Sequence, residues 1–308
     1  MAGREDTIRK LLEFGVLPTP EVVEKAERRG IDNVVVEIKR QETTKDRGGS
    51  YLVATIAEEK KAKETVTAAD VLKANSEKYE NMRKFFLGKL DAVSIKNVEG
   101  SHGKIGVVGM VREKTGDGFI LEDSTGEIEV VSEAGVELDD VIGVDGLVRE
   151  KRLVAARILY PEMPINRDVA ILETKILLSP QETDRAEGAE AIITPGGVII
   201  HGKRIGGLPN PGWVRLEKGG KSATVLVFRP NREVPREEVL GWLKKRYIKT
   251  GEGLMPQEAR VITEYPDILW VVSEKESWTE NHKGTTLIML GNAKKASIDF
   301  STRGVEII

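Results

Sequence analysis

Residues 104–131, KIGVVGMVREKTGDGFILEDSTGEIEVV, decide the fold, because apolar and polar side chains alternate along them in three short runs. Alternation with a period of two is typical of β-strands that are buried on one face. The DSTG sequence at residues 123–126 predicts a tight turn between the second and third strands. The acidic side chains of the third strand fall on one face, which we expect to be a solvated outer face.

Two further runs, at residues 139–150 and 152–161, predict a fourth and a fifth strand. Five short strands joined by tight turns predict a small barrel of the oligonucleotide-binding, or OB, type over residues 93–164. Glycine permits the close bends that such a barrel needs. The first and fourth strands carry four glycines, namely Gly106, Gly109, Gly143 and Gly146.

The segment before the barrel, residues 1–92, is predicted to be mainly helical. Thr19 is a suitable N-cap for a helix with Pro20 at its first position, and the charged run at residues 58–65 predicts a linker. Residues 67–91 carry apolar side chains at helical spacing, which predicts a helix docked on a neighbouring domain. These side chains are Val71, Leu72, Tyr79, Met82, Phe85, Phe86 and Leu90.

Residues 165–308 form a third predicted unit, in which strands outnumber helices. A hairpin is predicted across Gly219-Gly220, and a helix over residues 235–248, PREEVLGWLKKRYI. The predicted fold class of the chain is therefore α+β, mainly β.

The composition excludes several classes of protein. Of the 308 residues, 47 are basic and 50 are acidic, which gives a net charge of −3, so no global positive field draws the chain onto nucleic acid. The absence of cysteine excludes disulfides and thiolate metal sites. Without a signal peptide or a run of about 18 apolar residues, we expect a soluble, cytoplasmic protein. Abundant Lys, Arg and Glu beside three Gln favour a thermophilic source.

Several stretches, in order along the chain, resemble the small subunit of archaeal family-D DNA polymerases, and through it the B-subunits of eukaryotic replicative polymerases. KYENMRKFFLGKLD is similar to the segment that leads into the OB domain of this family. IGVVGMVREK, FILEDSTGEIEV, DDVIGVDGLV and ARILYPEMP are similar to its OB strands. NPGWVRL, LKKRYI and EYPDILWVV resemble its C-terminal phosphoesterase-like domain. The likeness covers residues 76–308 and is strongest at 93–164.

The resemblance implies that the third unit derives from calcineurin-like metallophosphoesterases, which in archaeal family members are proofreading 3′-to-5′ exonucleases. Such enzymes hold two divalent metals about 3.5–4 Å apart, which activate a water and stabilise displacement at phosphorus. The ligand motifs of the family (Asp-x-His, Gly-Asp-x-x-Asp, Gly-Asn-His-Asp/Glu, a single His and Gly-His-x-His) are not found here. Too few residues separate Pro164 from AIITPGG to hold the first two, and the three histidines, His102, His201 and His282, lie in unrelated contexts.

We therefore predict a shortened, degenerate phosphoesterase-like domain at residues 165–308, without catalytic residues, metal or cofactor. The predicted function is that of a non-catalytic homologue of the small subunit, a scaffold or accessory subunit in archaeal DNA replication or repair. The predicted partner is a polymerase large subunit or another replication protein, with DNA as a further candidate and no membrane contact.

Two alternatives stay open: a stand-alone single-stranded DNA-binding OB protein, and a residual metal-dependent 3′-to-5′ exonuclease with unconventional ligands. An OB barrel binds single strands with aromatic platforms and a basic groove. The candidates for contact with nucleic acid or a partner are basic residues beside Trp242 and Tyr247 and at the end of the first barrel strand. They are Lys244, Lys245, Arg246, Lys249, Arg112 and Lys114. The other interpretation of the first four is a solvated helix face beside a packed stripe.

Overall fold

The computed structural model describes residues 51–57, 67–98, 100–101, 103–162, 168–183, 188–248 and 261–308, with scattered positions between 7 and 31. The chain divides into two units, Met1–Tyr51 and Leu52–Ile308. In the first unit, Leu11, Val23 and Ala26 are buried together at helical positions, which agrees with the predicted helices. The predicted charged linker lies outside the described residues.

The second unit opens with strand β1 (Val53–Ile56) and helix α1 (Ala68–Arg83). Thr67 begins this helix: its hydroxyl oxygen accepts a hydrogen bond from the Asp70 N–H, and the Asp70 carboxylate accepts one from the Thr67 N–H. This reciprocal pair satisfies N–H groups that the first helical turn leaves without partners. After Arg83 the chain continues as a single 3-10 turn, Lys84–Phe86.

The buried face of α1 consists of Ala74, Lys78, Tyr79 and Met82, at the spacing of one helix face. Leu72 is 71% exposed, because a position two residues before Ala74 lies about 200° around the helix. The predicted apolar face is therefore wrong at Leu72, and a lysine is buried on that face instead.

Six strands form the sheet that contains the predicted barrel. They are β2 (Ala92–Val93), β3 (Lys104–Lys114), β4 (Gly118–Asp123), β5 (Gly126–Val131), β6 (Val141–Arg149) and β7 (Arg152–Leu159). β3 pairs with both β4 and β6, β4 with β5, β5 in parallel with β7, and β7 with β6, so these pairings run in a ring. These strands, which we name the barrel strands after the prediction, share one apolar cluster. It includes Val107, Val111, Phe119, Leu121, Ile142, Val144 and Leu153. All five predicted strands occur where the alternation placed them.

The acidic strand β5 presents its carboxylates outward. Ile128 and Val130 are buried, whereas Glu127 is exposed and Glu129 is half-buried. The alternation in the sequence therefore predicted correctly which face of this strand is solvated.

All four predicted barrel glycines allow close approach of neighbouring groups. A Cβ at Gly106 would lie 2.6 Å from Leu90 Cδ1, and a Cβ at Gly143 would lie 3.0 Å from the Phe86 ring. Gly146 lies at a β-bulge between β6 and β7, where a Cβ would overlap the carbonyl oxygen of Val154. The segment after α1 packs against the barrel in the space that Gly106 and Gly143 leave open.

The described residues after β7 contribute eleven strands and a helix, and with β1 these strands form two six-stranded sheets. In chain order the elements are β8 (Lys175–Leu178), β9 (Ala191–Thr194), β10 (Gly197–Ile200), β11 (Lys203–Ile205), β12 (Gly212–Lys218), β13 (Lys221–Phe228), α2 (Arg236–Lys245), β14 (Ile268–Val272), β15 (Trp278–His282), β16 (Thr285–Leu290), β17 (Ala296–Asp299) and β18 (Gly304–Ile307). One sheet has the order β1-β12-β13-β14-β16-β15, and the other has the order β11-β10-β9-β8-β17-β18. Across the ranges given above, no helix combines the length and the apolar composition that a bilayer crossing requires.

The two sheets share an apolar core, which includes Ile176, Ile193, Val198, Val214, Val225, Trp270, Ile288 and Phe300. Helix α2 covers the opposite face of the first sheet, where Phe228, Trp242, Leu243 and Leu269 pack together. The Phe228 and Trp242 rings meet edge to face, with centroids 5.1 Å apart.

The sequence predicted most of these elements but not how distant segments combine. The hairpin β12–β13 and helix α2 are confirmed. β15 and β18 were not predicted, and β1 lies within the stretch predicted to be mainly helical. β1 pairs with β12, which follows it by more than half the chain, so no local pattern reveals the pairing.

Replacing Gly146 by alanine tests the close packing of β6 against β7. We expect G146A to lower the unfolding free energy by about 2–3 kcal/mol, because its methyl group forces the two strands apart. The control is G116A, since nothing lies within 4 Å of a Cβ at Gly116, and it should stay within about 0.5 kcal/mol of the unsubstituted chain. Denaturant unfolding measures both, and equal stabilities would contradict the close approach.

Candidate functional site

The predicted basic cluster lies where α2 ends. Arg246 adopts a left-handed backbone conformation (φ 51°) at the C-terminus of the helix, a common way for a helix to stop. The Tyr247 N–H donates to the Trp242 carbonyl oxygen at 3.1 Å, and the Arg246 carbonyl accepts from the Ile262 N–H at 2.9 Å. Because the chain changes direction at Arg246, the side chains of residues 244–247 contact different neighbours.

Arg246 is fully buried, with 0% of its surface exposed. The guanidinium carbon lies 3.6 Å from the centroid of the Phe85 ring and 4.1 Å from that of Tyr265. Burial lowers the pKa of Arg246 to about 10, and Tyr265 opposes this shift. Aromatic faces carry partial negative charge and attract a guanidinium that has lost its water. The side chain therefore links the segment after α1 to the loop before β14.

Lys245 forms ion pairs with the loop between β5 and β6. Its ammonium nitrogen lies 3.1 Å from a carboxylate oxygen of Glu137 and 3.1 Å from one of Asp140. Asp140 is buried, and burial raises its pKa, although the Glu137 N–H and the Lys245 ammonium act in the opposite direction. This pair ties α2 to the barrel.

Two cation–ring contacts extend the same junction. The Lys244 ammonium lies 4.3 Å from the centroid of the Tyr160 ring, just after the last barrel strand. The Lys78 ammonium, on α1, lies 3.7 Å from the Tyr247 ring centroid and donates a 2.8 Å hydrogen bond to the Asp139 carbonyl. Lys78 is only 3% exposed. The cations and aromatic rings at the end of α2 are thus engaged within the chain, and we name these contacts of residues 244–247 the α2 junction.

A second set of contacts joins the exit of the barrel to the β15–β16 turn. The Glu162 carboxylate lies 2.7 Å from the Lys283 ammonium and 3.4 Å from His282 Nε2. Lys89 donates to the Glu162 carbonyl oxygen at 3.1 Å. Burial, followed by the charge of Arg246, lowers the pKa of Lys89. Charged groups from three parts of the chain thus meet at Glu162, two of them at its carboxylate and one at its backbone carbonyl.

Two arginines on the surface of the barrel strands, Arg112 and Arg152, are each paired with two acids. Arg112 lies 2.6 Å from Glu127 and 3.9 Å from Glu122, and Arg152 lies 3.0 Å from Asp117 and 3.8 Å from Glu129. Exposed pairs of this kind contribute little to stability. These pairs do reduce the positive potential along β4 and β5. A bound strand of nucleic acid requires such a positive potential.

The six predicted contact residues therefore lie in different settings. Lys244 is exposed, Lys245 is half-buried and Arg246 is fully buried. The interpretation as a solvated helix face is therefore wrong for Arg246. Arg112 and Lys114 are exposed on β3. Lys249 lies outside the described residues.

The junction partners Lys78, Phe85, Asp140 and Tyr265 were missed by the sequence reasoning. Phe85 was recognised only as part of an apolar stripe, and a buried lysine on α1 contradicts the usual preference of that residue for water. Each partner comes from a segment distant from α2, so a local pattern carries no signal for it.

The histidines lie in separate loops. His201 occupies the β10–β11 turn with a positive φ of 49°, and His282 ends β15 beside Glu162. His102 is not among the described residues. Within those that are described, no three His, Asp or Glu side chains are grouped closely enough to hold a metal ion.

Substitution of Arg246 separates the volume of the buried side chain from its charge. We expect R246A to lower the unfolding free energy by about 2–4 kcal/mol, because it leaves a cavity between two rings. R246M should stay within about 1 kcal/mol of the unsubstituted chain, since methionine fills the slot and removes the cost of burying a cation. Chemical denaturation compares the two, and an R246M loss as large as that of R246A would contradict this account.

The pH dependence of stability tests the burial of Asp140. A raised carboxyl pKa means that the folded chain binds this proton more tightly than the unfolded chain. The resulting stability is present below the ordinary carboxyl pKa and is lost as the pH rises through the raised value. The unfolding free energy of the unsubstituted chain minus that of D140N should therefore fall as the pH rises above the ordinary carboxyl pKa of about 4. A difference that rises with pH there would refute the assignment.

Comparison with known proteins relates part of the chain to one group of proteins. No protein-family model matches the chain. The chain is 35% identical over 108 residues to the DNA polymerase II small subunit of Archaeoglobus fulgidus. This match covers 32% of the chain and 22% of that relative, so the chain matches about a fifth of the length of the small subunit. The partial match supports a relation to the family of archaeal polymerase small subunits.

Proposed function

We propose that this chain is a non-catalytic homologue of the DNA polymerase D small subunit, which acts as a scaffold or accessory subunit in archaeal DNA replication or repair. Its proposed partner is the polymerase large subunit. The α2 junction is the observation that carries the scaffold role. Its ion pairs and cation–ring contacts join the barrel region to the two sheets that share a core, which we name the paired sheets. The partial similarity to a polymerase small subunit supports the replication setting.

The proposal includes the assignment of β3 to β7 as an OB fold over residues 93–164. The order of the pairings, with β5 and β7 parallel and β3 joined to both β4 and β6, supports this assignment. Residues 165–308 are then a shortened phosphoesterase-like domain. In this view β1 adds one strand from the N-terminal region to that domain.

A scaffold benefits from a fixed arrangement of its parts. A surface that is already in its bound conformation loses less conformational entropy on association than one that must be ordered by the partner. Three sets of contacts join the barrel region to the paired sheets at different points. They are the ring contacts of Arg246, the ion pairs of Lys245 and the contacts of Glu162. The proposed large-subunit surface therefore includes parts of both regions.

The non-catalytic assignment is argued from sequence motifs, and the weak DNA contact from charge. The ligand motifs of the phosphoesterase family are not found in residues 165–308. On the barrel, Arg112 and Arg152 each lie beside two carboxylates, so few counterions would be released on binding a phosphate backbone. Protein binding therefore explains the chain better than DNA binding.

Affinity purification of the tagged chain from its native cell tests the scaffold role. We expect the polymerase large subunit to be recovered and identified by mass spectrometry. R246A should recover less of it than the unsubstituted chain, because loss of the stacked side chain loosens the two regions that form the surface. R246M keeps the stability of the fold but lacks the cation between the rings, so it should also recover less of the large subunit. Full recovery by R246M would show that the cation does not set the arrangement.

Three results would contradict the proposal. The first is the recovery of no replication protein. The second is manganese-dependent degradation of single-stranded DNA that H201A abolishes, which would identify an exonuclease. The third is a submicromolar affinity for single-stranded DNA that falls steeply with salt in fluorescence anisotropy, which would identify a DNA-binding protein.

A further inference from the structure

A cleft of about 620 Å³ opens beside the segment before β8, in the second unit of the chain. Val169 and Ile171 line it, and they are 38% and 51% exposed. Between and after them, Ala170 packs against the shared core of the two sheets and Leu172 is fully buried. This alternation of exposed and buried residues is that of an extended chain.

The backbone of this segment is bonded on one side. The Ala170 N–H donates to the Asp267 carboxylate at 3.3 Å, and the Ala170 carbonyl accepts from the Arg303 guanidinium at 3.4 Å. In an extended chain the N–H and C=O of adjacent residues point to opposite sides. Those of Val169 and Ile171 therefore point away from Asp267 and Arg303, and no hydrogen bond to another described residue involves them. Side chains thus satisfy one edge of the segment, and the other edge is open.

The polar groups of the cleft do not form a site for a small polar ligand. Arg215 and Glu264 are paired with each other at 3.0 Å, and the Asp267 carboxylate accepts the Thr224 N–H at 2.9 Å. What the segment offers beside the cleft is an open backbone edge at Val169 and Ile171 and two exposed apolar side chains. Asp168 and Lys221 add one charge of each sign, and neither forms an ion pair with another described residue.

We propose that residues 168–172 bind an extended segment of a partner protein by strand addition. The backbone of the added strand bonds to the N–H and C=O groups of Val169 and Ile171, and its alternate apolar side chains cover theirs. The segment carries an acidic residue that pairs with Lys221 and a basic residue that pairs with Asp168. This inference rests on the proposed function only for the identity of the partner.

Peptide selection tests the open edge without knowledge of the partner. A displayed library of random peptides is selected against the full chain, and each enriched peptide is measured against the V169N/I171N variant. We expect enriched peptides with apolar residues at alternate positions and an affinity for the variant at least about tenfold weaker. The variant keeps its fold because both side chains are exposed, and its unfolding midpoint verifies this.

Amide hydrogen exchange is a second test, because it measures the protection of each backbone N–H in the segment. In the free chain the Ala170 amide should be protected, while those of Val169 and Ile171 exchange rapidly. On addition of a selected peptide, the latter two should become protected by about tenfold or more. Failure of every peptide to distinguish the chain from the variant would overturn the inference. So would protection of the Val169 and Ile171 amides in the free chain, and a concentration dependence of that protection would identify a second copy as the occupant.

The same variant separates this inference from the scaffold proposal. If the large subunit is captured equally by the V169N/I171N variant and by the unsubstituted chain, strand addition by that partner is excluded and the scaffold proposal stands. If the unsubstituted chain captures no large subunit, the scaffold proposal fails, and the peptide selection still decides whether the edge binds a strand.

Discussion

One guanidinium group is buried beside two aromatic rings. The position of the barrel region against the paired sheets depends on this contact. Arg246 is fully buried, and removing a cation from water is unfavourable unless nearby groups compensate. The rings of Phe85 and Tyr265 supply that compensation at 3.6 and 4.1 Å. They come from segments on either side of α2 in the sequence, so the side chain can be accommodated only when those segments meet at the end of the helix.

The same end of α2 shows how a charged cluster can be used for internal structure rather than for binding a polyanion. A run of basic residues beside aromatic ones is typical of contact with nucleic acid, and the sequence here contains such a run. In the folded chain each of its described members has an internal counterpart: the Tyr160 ring for Lys244, carboxylates for Lys245 and rings for Arg246. The surface arginines of the barrel follow the same principle, because Arg112 and Arg152 are each held by two acids.

The sequence predicted the strands of the barrel well because strand alternation and turn chemistry are local. β3 to β7 begin and end close to the predicted positions, and the outward face of β5 was predicted from its glutamates alone. The site was predicted less well, because its orientation depends on residues far apart in the chain. Nothing near Arg246 in the sequence indicates that Phe85 and Tyr265 will enclose it. Lys78 is the clearest example: its charge suggests solvent, yet the Asp139 carbonyl and the Tyr247 ring hold it in the interior. Likewise β1 was missed because it requires a partner strand that lies far along the chain.

Polar contacts also connect the barrel exit to the segment with the open backbone edge. An apolar interface tolerates sliding, whereas ion pairs and stacked cations hold one register, as buried polar groups do in coiled coils. The β15–β16 turn takes part in both regions: Lys283 pairs with Glu162 at the barrel exit, and the neighbouring Gly284 carbonyl accepts a 2.9 Å hydrogen bond from Arg303. Arg303 in turn holds the carbonyl of Ala170. A continuous set of polar contacts therefore runs from the barrel exit to the segment with the open edge. A partner that contacts the barrel and adds a strand at that edge would meet both surfaces at a spacing that the chain has already set, and so would gain affinity without ordering either one.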